Sequence, residues 1–145
     1  MVSQKEIILS IFYLKHKVWG RTYLQKLIYL INREIFKEQL FDFKFYKYGP
    51  YSEEINEELT DLEIEGNIDE NAQRTKGFHT AYTYELTENG KKVASDIFNR
   101  KLDVALRDKL INYINKFGNY TPTELLKYVY EEYPEVTENS EFGME

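Results

Sequence analysis

The chain has no cysteine. That absence removes disulfides, thiolate nucleophiles, cysteine-ligated zinc and iron–sulfur clusters, and it fits a reducing cytoplasm. Histidine occurs only as His16 and His79. Neither has an HxxxH partner or a nucleophile close by in sequence, so both read as surface histidines. No GxxxxGK[ST] or GxGxxG phosphate loop is present, and the acids lack DxDxDG-like spacing. Long apolar runs are missing too: in MVSQKEIILSIFYLKHKVW, the residues Lys5, Glu6, Lys15, His16 and Lys17 interrupt any signal sequence or membrane span. The expectation is a non-enzymatic cytoplasmic protein with no cofactor, no metal site and no membrane contact.

What is there is one domain's worth of chain with segregated charge. At 145 residues it buries roughly two-thirds of its unfolded surface, enough for a single core. The net charge of −6 opposes a general nucleic-acid coat. Residues 1–50 carry +5, residues 51–73 carry −9 without one base, and residues 74–145 carry −2.

Local patterns place the elements. Ser3 and Glu6 have capping-box spacing before the stripe Ile7, Ile8, Ile11 and Phe12. A second box, Thr22 and Gln25, opens a helix over about 22–38 with Leu24, Leu27, Ile28, Ile31 and Ile35 on one face. Tyr29 and Leu30 on its other side make it central to the domain. FDFKFYKY, 41–48, alternates as a strand that Gly49-Pro50 should stop. Ser52 should cap a helix over 53–65 burying Ile55, Leu59 and Leu62, with Gly66 as its stop. Strands follow from Ile68 to about Thr75 and from Thr80 to Thr87. Thr87 caps the next helix, another covers about 101–117, and Thr121, Pro122 and Glu124 open the last, which Pro134 ends.

This order predicts an α+β, mostly helical, winged-helix-like single domain with a short aromatic strand and a two-stranded β-hairpin wing. Residues 1–134 form the domain, and 135–145, with four glutamates and little to bury, form a frayed acidic tail.

Two stretches, YLQKLIYLIN (23–32) and FKFYKYGPYSEEI (43–55), together resemble the Panacea antitoxin domain and the related YwgA-type phage-associated proteins. The matching positions are Leu24, Gln25, Lys26, Leu27, Lys47, Tyr48, Gly49, Pro50 and Ser52. ELLKYVYEEYPEVTENS, 124–140, is similar to the carboxyl-terminal segment of the YwgA branch. The resemblance implies a non-enzymatic, winged-helix-like domain that, in the Panacea branch, neutralises or delivers toxins through protein contacts.

Two surfaces compete for function. Glu54, Glu58, Asp61 and Glu65 recur at offsets of 4, 7 and 11, so they form one acidic stripe beside Tyr46, Tyr48 and Tyr51. With thirteen tyrosines in the chain, this predicts an interface for a protein partner such as a basic toxin or regulator. Alternatively, Lys26, Lys37 or wing bases neutralise the stripe within the fold. The runner-up is a winged-helix DNA-binding regulator using Lys26, Arg33 and Lys37 on the second helix, with Arg74 and Lys76 on the wing. The helix before the wing is unsuited to DNA, because outside its apolar stripe it carries only acids among its charged residues. Neither partner identity nor oligomeric state is legible.

Overall fold

The computed structural model describes residues 2–47, 49–74 and 80–139. Six α-helices and five short strands are present among them: α1 (Gln4–Lys15), β1 (Lys17–Val18), α2 (Arg21–Glu34), β2 (Lys44–Tyr46), β3 (Gly49–Tyr51), α3 (Glu53–Ile64), β4 (Ile68–Arg74), β5 (Thr80–Leu86), α4 (Glu88–Asp96), α5 (Val104–Phe117) and α6 (Pro122–Glu132). A π-helical segment, Ile97–Lys101, extends α4, and a 3-10 segment, Pro134–Asn139, follows α6. The protein is a mostly helical α+β domain.

Local chemistry accounts for most helix starts. Ser3–Glu6 and Thr121–Glu124 form complete capping boxes, and the Thr87 and Asp103 side chains accept from the Gly90 and Leu106 amides. Asp103 sets the start of α5 at Val104, a few residues later than periodicity suggests, because the preceding turn is π-helical. The expected Thr22–Gln25 box does not form: Gly20, with φ +112°, is the N-cap of α2, without a side-chain hydrogen bond. Gln25 is instead occupied across the core.

Helix α2 is central, with every residue from Tyr23 to Asn32 buried. It packs against α5, α6 and β3, while α1 packs against α3, α4 and α5. The helix ends at Glu34 and not near 38, because Asn32 intervenes. Its Oδ1 accepts from the Leu40 and Phe41 amides at 3.1 and 2.9 Å, and Lys37 and Glu38 take left-handed angles of φ 53° and 66°. The apolar Ile31–Ile35 spacing persists after the backbone has left the helix.

The two strands expected after α3 form and pair antiparallel, from Ile68 opposite Leu86 to Arg74 opposite Thr80. The unforeseen two-residue β1 completes a sheet of order β1-β5-β4, with Val18 opposite Tyr84. Tyr84 and Leu86 enter the core, whereas Tyr82 stays out on the exposed part of the hairpin.

Gly49-Pro50 does not stop the aromatic strand but builds its partner, with Lys44 opposite Tyr51, Phe45 opposite Pro50 and Tyr46 opposite Gly49. In a two-stranded ladder every second amide points away from the partner, so one proline is tolerated. The chain continues past Pro134 as a 3-10 segment. Val136 is buried and Glu135 meets Arg33, so the segment after Pro134 is docked through its described residues; 140–145 lie outside them.

Candidate functional site

The β2–β3 hairpin and the start of α3 are tied to α2 by one side chain. Gln25, 2% exposed, accepts from the Ser52 amide at 2.7 Å and donates to the Ser52 carbonyl at 2.9 Å. This pair satisfies both backbone groups of Ser52. Gly49 fixes the other side of the corner: φ is +105°, and a Cβ there would lie 2.6 Å from Leu126 Cδ1. The left-handed angle is what calls for glycine here, while the Leu126 side chain can give way. Beneath the hairpin, Phe43 and Phe45 meet the Tyr29 ring edge-to-face at 5.3 and 5.8 Å.

Above this frame the corner forms a surface pocket of about 430 Å³, lined by Lys26, Tyr46, Gly49, Pro50, Tyr51 and Glu53. Tyr46, 49% exposed, stands edge-to-face with Tyr51 at 5.8 Å, and Asn56 Nδ2 donates to the Tyr51 hydroxyl. Lys26 is only 7% exposed. Burial pushes its ammonium below the ordinary lysine range. Ser52, 1% exposed, is the N-cap of α3 by position, yet its Oγ has no hydrogen-bond partner and does not cap the helix. The first turn of α3 therefore opens without a side-chain acceptor.

The acidic stripe is not one free surface. Lys5, on α1, donates to Glu65 at 2.8 Å and lies 3.9 Å from Glu58. The hydrogen bond to Glu65 raises the Lys5 pKa, whereas desolvation is the main cause that raises Glu58. Glu54 accepts from the Asp42 amide at 2.7 Å, and Asp61 is exposed. Internal neutralisation thus comes from Lys5, a residue absent from the sequence-based choice of Lys26, Lys37 or the wing.

Nor does α2 present a basic stripe. Lys26 is buried, and Lys37 lies beyond the helix end. The Arg33 guanidinium donates to the Tyr29 hydroxyl at 2.8 Å and to Glu135 at 2.5 Å, and stacks 3.8 Å from the Tyr133 ring centre. Tyr48 and Lys76 lie outside the described residues, as do His79 and the Arg74 side chain.

Sequence reasoning passed over Trp19, the single tryptophan, which is 64% exposed and lines a second depression with Gly20, Arg21, Tyr82 and Tyr84. A lone tryptophan before a glycine was the available signal. There Arg21 Nε donates to the Tyr84 hydroxyl at 2.6 Å, and Tyr84 donates to Glu70. Burial first, then the bond to Glu70, pushes Tyr84 up to about 12. Among the described residues no group of three His, Asp or Glu could hold a metal ion, and no helix is long and apolar enough to cross a membrane.

Comparison with known proteins gives two matches. The family described as antitoxin SocA-like, Panacea domain, matches residues 24–134. That span begins within α2 and runs through the β2–β3 hairpin, α3, β4, β5, α4 and α5 to just past the end of α6. The uncharacterized protein YwgA of Bacillus subtilis (strain 168) is 34% identical over 91 residues, 62% of this chain and 53% of that protein. The chain thus spans about half the length of this curated relative.

Proposed function

This chain belongs to the antitoxin SocA-like, Panacea domain family, and on that premise we propose that it is a non-catalytic, antitoxin-like regulator acting through contact with a protein partner. The observation that carries this reading is the tyrosine-rimmed pocket at the β2–β3 corner. Tyr46 is half-exposed there, and Gln25 holds the corner by two hydrogen bonds to the Ser52 backbone. A rigid aromatic rim contributes contact area at little entropic cost, which suits binding more than turnover. Glu54, in the first turn of α3, and the exposed Asp61 further along it would steer a partner with a basic rim.

A winged-helix-like use of the hairpin on DNA has no comparable support. Of the residues expected to form its basic face, Lys26 is buried, Arg33 is engaged and Lys37 lies beyond the end of α2, and α3 is acidic.

The test is co-expression with a toxin encoded beside this protein, read as growth rescue, together with calorimetric binding of the purified pair. Tyr46→Ala with Tyr51→Ala should abolish rescue and weaken binding at least tenfold while the unfolding midpoint holds. Undiminished binding by this folded variant would place the contact elsewhere.

A further inference from the structure

A buried lysine normally has a carboxylate or a set of hydrogen-bond acceptors, because removing an ammonium from water costs far more than its contacts return otherwise. Lys26 has neither: no hydrogen bond, ion pair or aromatic face reaches it among the described residues, although it is 7% exposed. It lines the pocket beneath Tyr46, Pro50 and Tyr51. A second source of positive potential meets it there. The twelve-residue α3 begins at Glu53, in the pocket wall, and the buried Ser52 hydroxyl leaves its first turn without a side-chain cap. A helix start and a lysine without a hydrogen-bond or ion-pair partner thus converge on one cavity.

We propose that the pocket over Lys26 is a carboxylate-binding site that receives a glutamate or aspartate side chain of the protein partner. One lysine and one helix start match a single negative charge. The Glu53 carboxylate in the wall disfavours a doubly charged group such as phosphate. Tyr46, Tyr51 and Pro50 supply apolar walls for the methylene stem that carries the acid. The mouth is at the surface, with Tyr46 half-exposed at its rim. A free small molecule would keep one side in water there, whereas a side chain arriving with a partner is covered by the surface that brings it, and the charge pair is then desolvated and strengthened. The source of the carboxylate rests on the protein-partner reading above; the anion site itself does not.

Amide NMR titration at constant ionic strength tests the site on the full chain. Three probes are compared: butyrate, its neutral counterpart butanamide, and inorganic phosphate. Butyrate should shift the amides of Gly49, Tyr51, Glu53 and Glu54 saturably, with butanamide and phosphate at least tenfold weaker. Butanamide equal to butyrate, or no saturable shift at these amides, overturns the proposal without requiring any variant. Lys26→Met should cost butyrate at least tenfold, and undiminished binding by the folded variant overturns the role of Lys26. For the source, the capped peptide acetyl-Ala-Ala-Glu-Ala-Ala-amide is compared with its Gln counterpart. Preference for Glu supports a partner side chain. Butyrate binding without any response to the Glu peptide overturns that source and leaves a free carboxylate as the occupant. Growth rescue is read separately, so a wrong partner reading and a wrong anion site give different results.

Discussion

Replacing Lys26 with methionine removes a charge that the fold buries without a partner, so the variant should be more stable than the native protein. Met keeps the apolar stem and the volume. The gain at neutral pH is about 1 kcal/mol, the low end of the cost of an unsatisfied buried group, since Lys26 lines a pocket open to the surface. Its pH dependence follows from the direction of the shift. Burial lowers the folded pKa below the ordinary 10.5. The penalty is therefore full where the lysine is charged in both states, below the folded pKa, and fades as pH rises from there to 10.5. Tyr23 and Tyr84, both pushed to about 12, also titrate in alkali, but they are common to both proteins and cancel in the difference. Urea unfolding of native and Lys26→Met proteins at pH 7 and pH 10 measures it, and a gain that grows at pH 10 would contradict the assignment.

At the scale of the element, two N-caps of the same chemical type should respond oppositely to alanine. Thr121 completes a capping box on α6, accepting from the Glu124 amide while Glu124 accepts from the Thr121 amide. Thr121→Ala should cost about 1 kcal/mol. Ser52 occupies the same position on α3, yet its buried Oγ bonds to nothing, and its backbone is held by Gln25. Ser52→Ala removes an orphan hydroxyl and should be neutral or slightly stabilising. Denaturant midpoints of the two variants decide the matter. A loss for Ser52→Ala as large as for Thr121→Ala would mean that the α3 cap is made after all. The contrast shows how α3 differs from α1, α4 and α6: its start is held by tertiary contact and is left electrostatically open.

For the whole molecule, the relevant quantity is where the segregated charge goes on folding. The basic first third and the acidic 51–73 segment meet through Lys5 with Glu58 and Glu65, and through Arg21 with Glu70. Such partly exposed pairs are each worth well under ~1 kcal/mol, so they organise charge more than they stabilise. What they leave is a surface with no basic stripe on α2 and an acidic α3 before the wing. A labelled DNA duplex should therefore remain unshifted at ~0.15 M salt, with any low-salt binding falling steeply as salt rises. A tight complex that persists at physiological salt and is lost on altering the exposed residues of α3 would refute this.

The sequence by itself determined the elements whose causes lie within a turn of each other. The boxes at Ser3–Glu6 and Thr121–Glu124, the Thr87 cap, the Ile55–Leu59–Leu62 stripe, the alternating β5 and the Gly66 stop are all legible because a helix start or a ladder face depends on residues three or four apart. The resemblance carried by LQKL and KYGP was legible for the same reason, as short runs. Tertiary structure alone decided what those runs do. Gln25 had the spacing of a capping residue, but it faces Ser52 twenty-seven positions on, and the box is forfeited. Lys5 finds Glu65 sixty positions away. Lys26 reads as surface, since lysine almost always is, until the hairpin folds over α2 and closes it in. Periodicity states which face of a helix a residue occupies, but not whether a second layer covers that face; burial, and with it the unpartnered charge at the site, is settled by contacts between segments distant in the chain.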